Sequence, residues 1–90
     1  MSEKAENMRT WAVTVTTKPT RVAPKNSKRK AILIYNNGDA TIYIIDSPSK
    51  GINDGIPVPA KDSYTNRWTT AEIWAVAESG SQDVRVEEDA

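Results

Sequence analysis

From Thr10 to Thr17 apolar and polar positions alternate, with Trp11, Val13 and Val15 on one side and Ala12, Thr14 and Thr16 on the other. A two-residue period is that of a half-buried strand. Pro19 and Pro24 then bracket Arg21-Val22-Ala23, which leaves room only for a short edge segment. Asn26-Ser27 has turn chemistry. The densest apolar run follows, KAILIYNNGDATIYII over residues 30–45. Asn37-Gly38 at its middle predicts a two-residue type I′ turn and therefore a β-hairpin. Leu33 then faces Ile42, and Tyr35 faces Ala40. One face of the hairpin carries Ala31, Leu33, Tyr35, Ala40, Ile42 and Ile44; the other carries Ile32, Ile34, Thr41, Tyr43 and Ile45. Both are apolar, whereas a solvated antiparallel sheet has one polar face. The pattern calls for a cover on the second face, either a long loop or a second subunit.

Residues 46–63, DSPSKGINDGIPVPAKDS, are too rich in Gly and Pro for a central strand. Ile52, Ile56 and Val58 predict a loop tacked onto the edge of the core. A short strand containing Trp68 is expected within 64–70. In 72–79, Ala71, Ile73, Ala75 and Ala77 fall on one face, with Glu72, Trp74, Val76 and Glu78 on the other. Ser79-Gly80-Ser81 turns the chain into DVRVEE, with Val84 and Val86 inward and Arg85 outward. Val, Ile and Thr make up 24 of the 90 residues, while Leu occurs once, a balance that favours pleated surfaces over helices. The expected fold is all-β, a small antiparallel β-sandwich or barrel of about six to seven short strands. Residues 1–9 form a charged, flexible N-terminal arm, residues 10–88 a single β-domain and residues 89–90 a C-terminal tail.

Composition removes most chemistry. The chain has no histidine and no cysteine, so serine or cysteine nucleophile systems and thiolate or imidazole metal sites are excluded. No phosphate-cradling glycine loop is present. Asp46, Asp54 and Asp62 do not have EF-hand spacing and read as solvated loop carboxylates. Glu72 and Glu78 lie about 20 Å apart on an extended strand, too far for paired-carboxylate hydrolysis. No enzyme activity, cofactor or metal is expected. No apolar run reaches the length of a membrane span, and residues 1–9 are too polar for a signal peptide, so a soluble product of the cytoplasm, without membrane contact, is expected. Net charge is zero, from 12 basic and 12 acidic residues, which disfavours nucleic acid. The first half nevertheless carries a net +5 and the second half −5, a polarity suited to contacts between unlike patches.

Candidate contact residues follow from this. Met8 and Arg9 belong to the arm. Lys25, Lys28, Arg29 and Lys30 form a basic cluster beside Arg21, which serves either as a solubilising guard for an apolar edge or as a contact for an acidic partner. Trp11, Trp68, Trp74 and Tyr43 are ordinary core aromatics if buried and interface anchors if exposed; Trp74, lying between Glu72 and Glu78 on its face, is the best candidate for exposure.

The ordered segments VTVTTKPTRVAP, RKAILIYNNGDATIYI, GIPVPAKDS and EIWAVAESGSQDVRVEE together resemble small β-domains of tailed-phage and prophage virion structural proteins. The resemblance covers roughly Val13 to Glu88. It departs at Lys61-Asp62, where a Pro-Gly or Ala-Gly turn is common, and in the charged arm. It is strongest for capsid decoration (cement) proteins. It implies a virion protein made in the host cytoplasm and bound to the outer capsid surface, where it stabilises joints between coat subunits. The implied partners are the major capsid protein of the same virus and further copies of the chain, a trimer being favoured. The alternative is a receptor- or glycan-binding module of a tail or head fibre, using Trp68 or Tyr64 with the 46–63 loop. A small regulator of a host protein is a third reading, supported by size alone.

Overall fold

The computed structural model describes residues 4–90. Eight strands follow one another: β1 (Met8–Val15), β2 (Thr20–Ala23), β3 (Ala31–Asn36), β4 (Ile42–Ile45), β5 (Ile56–Val58), β6 (Ser63–Asn66), β7 (Ile73–Ala77) and β8 (Gln82–Asp89). They form two four-stranded antiparallel sheets, ordered β1-β8-β3-β6 and β2-β7-β4-β5. The fold is therefore an all-β sandwich, with eight strands where about six or seven are predicted. The extra strand is β5, inside the Gly/Pro-rich segment. Its Pro57 is tolerated because β5 is an edge, paired only with β4.

The core lies between the sheets, where alternate residues point inward. Val15, Ile32, Ile34, Val84 and Val86 from the first sheet meet Val22, Ile42, Ile44, Val58, Ile73, Ala75 and Ala77 from the second. The inward rows of β1, β7 and β8 are those that the alternation predicts. Of the loop residues expected at the core edge, Val58 is buried, whereas Ile52 and Ile56 are 40% and 54% exposed. Trp68 lies in the turn after β6 rather than in a strand.

The predicted hairpin does not form. β3 is paired on both sides, with β8 and β6, and β4 belongs to the other sheet. Neither Asn37 nor Gly38 takes the left-handed φ that a type I′ turn requires; Lys61 (φ 62) and Gly80 (φ 61) are the described residues that do. The reason is Asn36, whose side chain is fully buried. Its Nδ2 donates to Ala40 O at 2.8 Å and to Val58 O at 2.9 Å, and its Oδ1 accepts from Gly38 N at 3.0 Å. Gln82 Oε1 accepts from Asp39 N (2.8 Å) and Ala40 N (3.1 Å). These bonds bend the chain from one sheet to the other. A Cβ at Gly38 would collide with Gln82 Oε1.

The crossing also settles the two apolar faces. Ile32 and Ile34 point inward together with Ile42 and Ile44, although the hairpin register puts them on opposite faces. Ala31, Leu33 and Tyr35 are left half-buried on the outside of the first sheet. Tyr43 and Ile45 lie on the outside of the second, across the ladder from Val76 and Trp74. Asn36→Ala removes both donors to buried carbonyls, and a loss of about 2–4 kcal/mol in urea unfolding is expected; a change under about 1 kcal/mol would show that the crossing does not depend on this side chain.

Candidate docking surface

Antiparallel order decides which connections share an end of the sandwich. The start of β1, the end of β8, and the β2–β3, β4–β5 and β6–β7 connections all lie at one end. Met8 (67%), Ile52 (40%), Ile56 (54%) and Trp68 (86%), the large hydrophobic residues most exposed among the described ones, are all at that end.

The Trp68 turn is held from both sides. Asn66 Oδ1 accepts from Trp68 N at 2.8 Å and from Thr69 N at 2.9 Å, and Thr69 Oγ1 accepts from Ala71 N at 3.1 Å. From the neighbouring β2–β3 connection, Arg29 Nη1 donates to Thr69 O (3.3 Å) and Ala71 O (2.8 Å), and Arg29 Nη2 donates to Pro24 O (2.6 Å). Asn26 N donates to Thr70 O at 2.9 Å. The guanidinium is fixed by Glu88, whose Oε2 lies 2.9 Å from Arg29 Nε; both side chains are almost fully buried, at 0% and 1% exposure. Glu88 Oε1 accepts from Asn26 Nδ2 at 3.1 Å. Two surface loops are thereby joined into one rigid platform, from which the Trp68 ring projects.

Basic groups surround the platform. Lys25, Lys28 and Arg67 are exposed. Lys4, Lys28 and Lys30 line a wide depression of about 1080 Å³ together with the acidic Glu6, the backbone-side edge of Arg29 and Ala90. There the chain before β1 is tied to the end of β8: Glu6 N and Asn7 N donate to Ala90 O, and Ala90 N donates to Asn7 O, each at 2.8 Å. Strand β1 itself begins at Met8. Arg9 lies with its guanidinium carbon 5.5 Å from the Trp11 ring centroid, and its Nη1 is 3.9 Å from Glu88 Oε1.

Of the residues singled out in the sequence, Met8, Arg9, Lys25, Lys28, Lys30 and Trp68 therefore meet at one end. Arg29 does not offer a contact. The basic run in the sequence predicts a surface charge; Arg29 is instead buried, because Glu88 and three carbonyls supply acceptors that hydration would otherwise supply. Trp11 is half-buried against the core and donates to Val22 O at 2.9 Å. Arg21, Tyr43 and Trp74 lie on the outer face of the second sheet, with Arg21 3.8 Å from Glu72. Trp74, the expected exposed tryptophan, is half-buried with its Nε1 enclosed and without an acceptor. No sequence pattern singles out Arg67, Asn66 or Glu88. The loop carboxylates are satisfied locally: Asp46 pairs with Lys50 at 2.9 Å, and Asp54 accepts from Gly51 N at 3.0 Å. Among the described residues no acidic cluster could hold a metal ion.

A second, shallower depression of about 370 Å³ lies on the outside of the first sheet, floored by Leu33 and Tyr35 and bordered by Thr10, Ala12, Arg85 and Glu87. At its rim Asp89 raises the pKa of Glu87, through a hydrogen bond and like charge. A raised carboxyl pKa favours the folded state at low pH and weakens it as pH rises through the titration. Glu87→Gln is expected to unfold at a higher urea concentration than wild type at pH 7, with the gap closing in acid; an equal gap at both pH values would deny the repulsion.

No protein-family model matches the chain, and no curated protein matches it. Among solved structures, the crystal structure of PirA is similar over 100% of this chain and 99% of that one, at 13% identity and a TM-score of 0.47. A likeness of that degree carries no function across.

Proposed function

We propose that the protein is a virion structural protein, a capsid decoration protein that seats the loop-bearing end of its sandwich on the outer head surface. The observation that supports this most is the convergence at one end of a rigid, projecting Trp68, the exposed Lys25, Lys28 and Arg67, and the chain leading into β1. A projecting aromatic supplies an anchor for a coat-subunit crevice, and the surrounding cations match acidic coat surface and speed encounter. The order of segments resembling phage virion domains points the same way. The partner is the coat protein of the virus that encodes the chain.

The test is co-sedimentation with expanded heads of that virus. Saturable binding is expected. The double variant Lys25→Glu/Lys28→Glu should bind about tenfold or more weakly at low salt and retain the wild-type urea midpoint. Absence of binding to heads would remove the reading. The exposure of Trp68 also favours a second one, a glycan-binding module that stacks this ring on a sugar. Binding to a glycan panel that is insensitive to salt and to the lysine reversals would select it.

A further inference from the structure

Sandwiches end in edge strands, and three of the four edges here are guarded. β2 lies between Pro19 and Pro24 and carries Arg21, β5 contains Pro57, and β6 is four residues long and leads into Arg67. β1 is different. It is eight residues long, and from Thr10 to Val15 it has neither charge nor proline. It pairs only with β8.

The direction of its free hydrogen-bonding groups can be read from the register. Asn7 and Ala90 exchange both backbone bonds. In an antiparallel ladder the bonded pairs alternate, so Arg9, Trp11, Val13 and Val15 turn their N–H and C=O groups toward β8. Met8, Thr10, Ala12 and Thr14 turn theirs toward the open edge. The side chains of these four residues are exposed.

We infer that two copies of the chain associate through β1, antiparallel and two-fold symmetric about Ala12, to make one continuous eight-stranded sheet. A second copy is the occupant because this edge is complementary to itself. In the register centred on Ala12, Thr10 faces the second copy's Thr14, a favourable cross-strand pair. Trp11 faces the second copy's Val13. Arg9 faces the second copy's Val15, so no like charges meet. Thr10, Ala12 and Thr14 of both copies then form about six ladder bonds. The small Ala12 sits on the axis, where a two-fold brings identical residues together. The pair is closed, with a loop-bearing end at each pole, and is an alternative to the trimer that the resemblance implies. The inference does not depend on what those ends bind.

The chain has no cysteine, which permits a direct test. Across a bonded antiparallel pair the Cα atoms lie about 5.5 Å apart, within disulfide range. Ala12→Cys should oxidise rapidly to a covalent dimer. Thr10→Cys should not, because its symmetry mate would lie about 14 Å away along the strand. In sedimentation velocity, wild type should show twice the monomer mass at micromolar concentration. Ala12→Pro should be monomeric with unchanged β circular dichroism, since the N–H it removes makes no bond within the chain. Thr14→Lys, a surface change, should dissociate the pair in the same way. A wild-type monomer at every concentration would overturn the inference, as would equal cross-linking at positions 10 and 12, or dimers that survive both Ala12→Pro and Thr14→Lys.

Discussion

Glu88→Ala is expected to cost about 3–5 kcal/mol of folding stability, the range for removing one member of a buried ion pair. A domain of this size has only about 5–10 kcal/mol in total, so the variant should be partly unfolded near physiological temperature. The cause is the position of Arg29. Its guanidinium has no access to water, and Glu88 neutralises it at 2.9 Å while also accepting from Asn26. Without the carboxylate, a buried cation is left with three carbonyls and no counter-charge. Glu88→Gln keeps an acceptor but loses the charge, and about half of the effect is expected. Replacing both partners by apolar residues should not restore wild-type stability, because Thr69, Ala71 and Pro24 would then lose their donor. Equilibrium urea unfolding of the three variants checks this order. A loss under about 1 kcal/mol for Glu88→Ala would mean that water reaches Arg29.

Trp68→Ala should have the opposite profile. The ring is 86% exposed, so the urea midpoint should move by no more than about 0.5 kcal/mol in free-energy terms. Affinity for heads should fall about 30-fold or more, the 2 kcal/mol or greater loss of an aromatic anchor. The expectation is large because the turn is already ordered. Asn66 fixes two of its amides and Arg29 two of its carbonyls, so binding loses little further backbone freedom. Paired urea and co-sedimentation curves separate the two roles: full head binding by Trp68→Ala would remove the ring from the docking surface, and a large stability loss would make it a structural residue.

The inward rows of the sandwich were legible because alternation reports which face a residue is on: Val13 and Val15, Ile73, Ala75 and Ala77, and Val84 and Val86 all point as their period requires. The crossing from β3 to β4, which lies in the other sheet, was not. Asn37-Gly38 is a local signal, and it is overridden by Asn36, whose bonds to Ala40 and Val58 exist only once both sheets are in place. Arg29 and Trp74 were misplaced for a related reason. A charge in a basic run and a tryptophan between glutamates look exposed locally, and partners 59 residues away in the chain decide otherwise for Arg29. The Lys61 turn, flagged as a departure from the resembling pattern, is a true left-handed position. It costs about 1–2 kcal/mol for a residue with a Cβ, offset by the bond from Lys61 Nζ to Asn37 O at 2.7 Å.

The bonds between Asn7 and Ala90 tie the segment just before β1 to the end of β8, at the same end of the sandwich as the Trp68 platform. A polypeptide fused after Ala90 would therefore crowd the face that the proposed function gives to the coat protein. Ser79-Gly80-Ser81 lies at the far pole, exposed, with a glycine already in the left-handed conformation. An exposed turn of this kind is the tolerant place for an insertion. Within one copy of the chain, an epitope or enzyme grafted there would point away from that copy's Trp68 platform, which makes this turn the natural attachment point for displaying cargo.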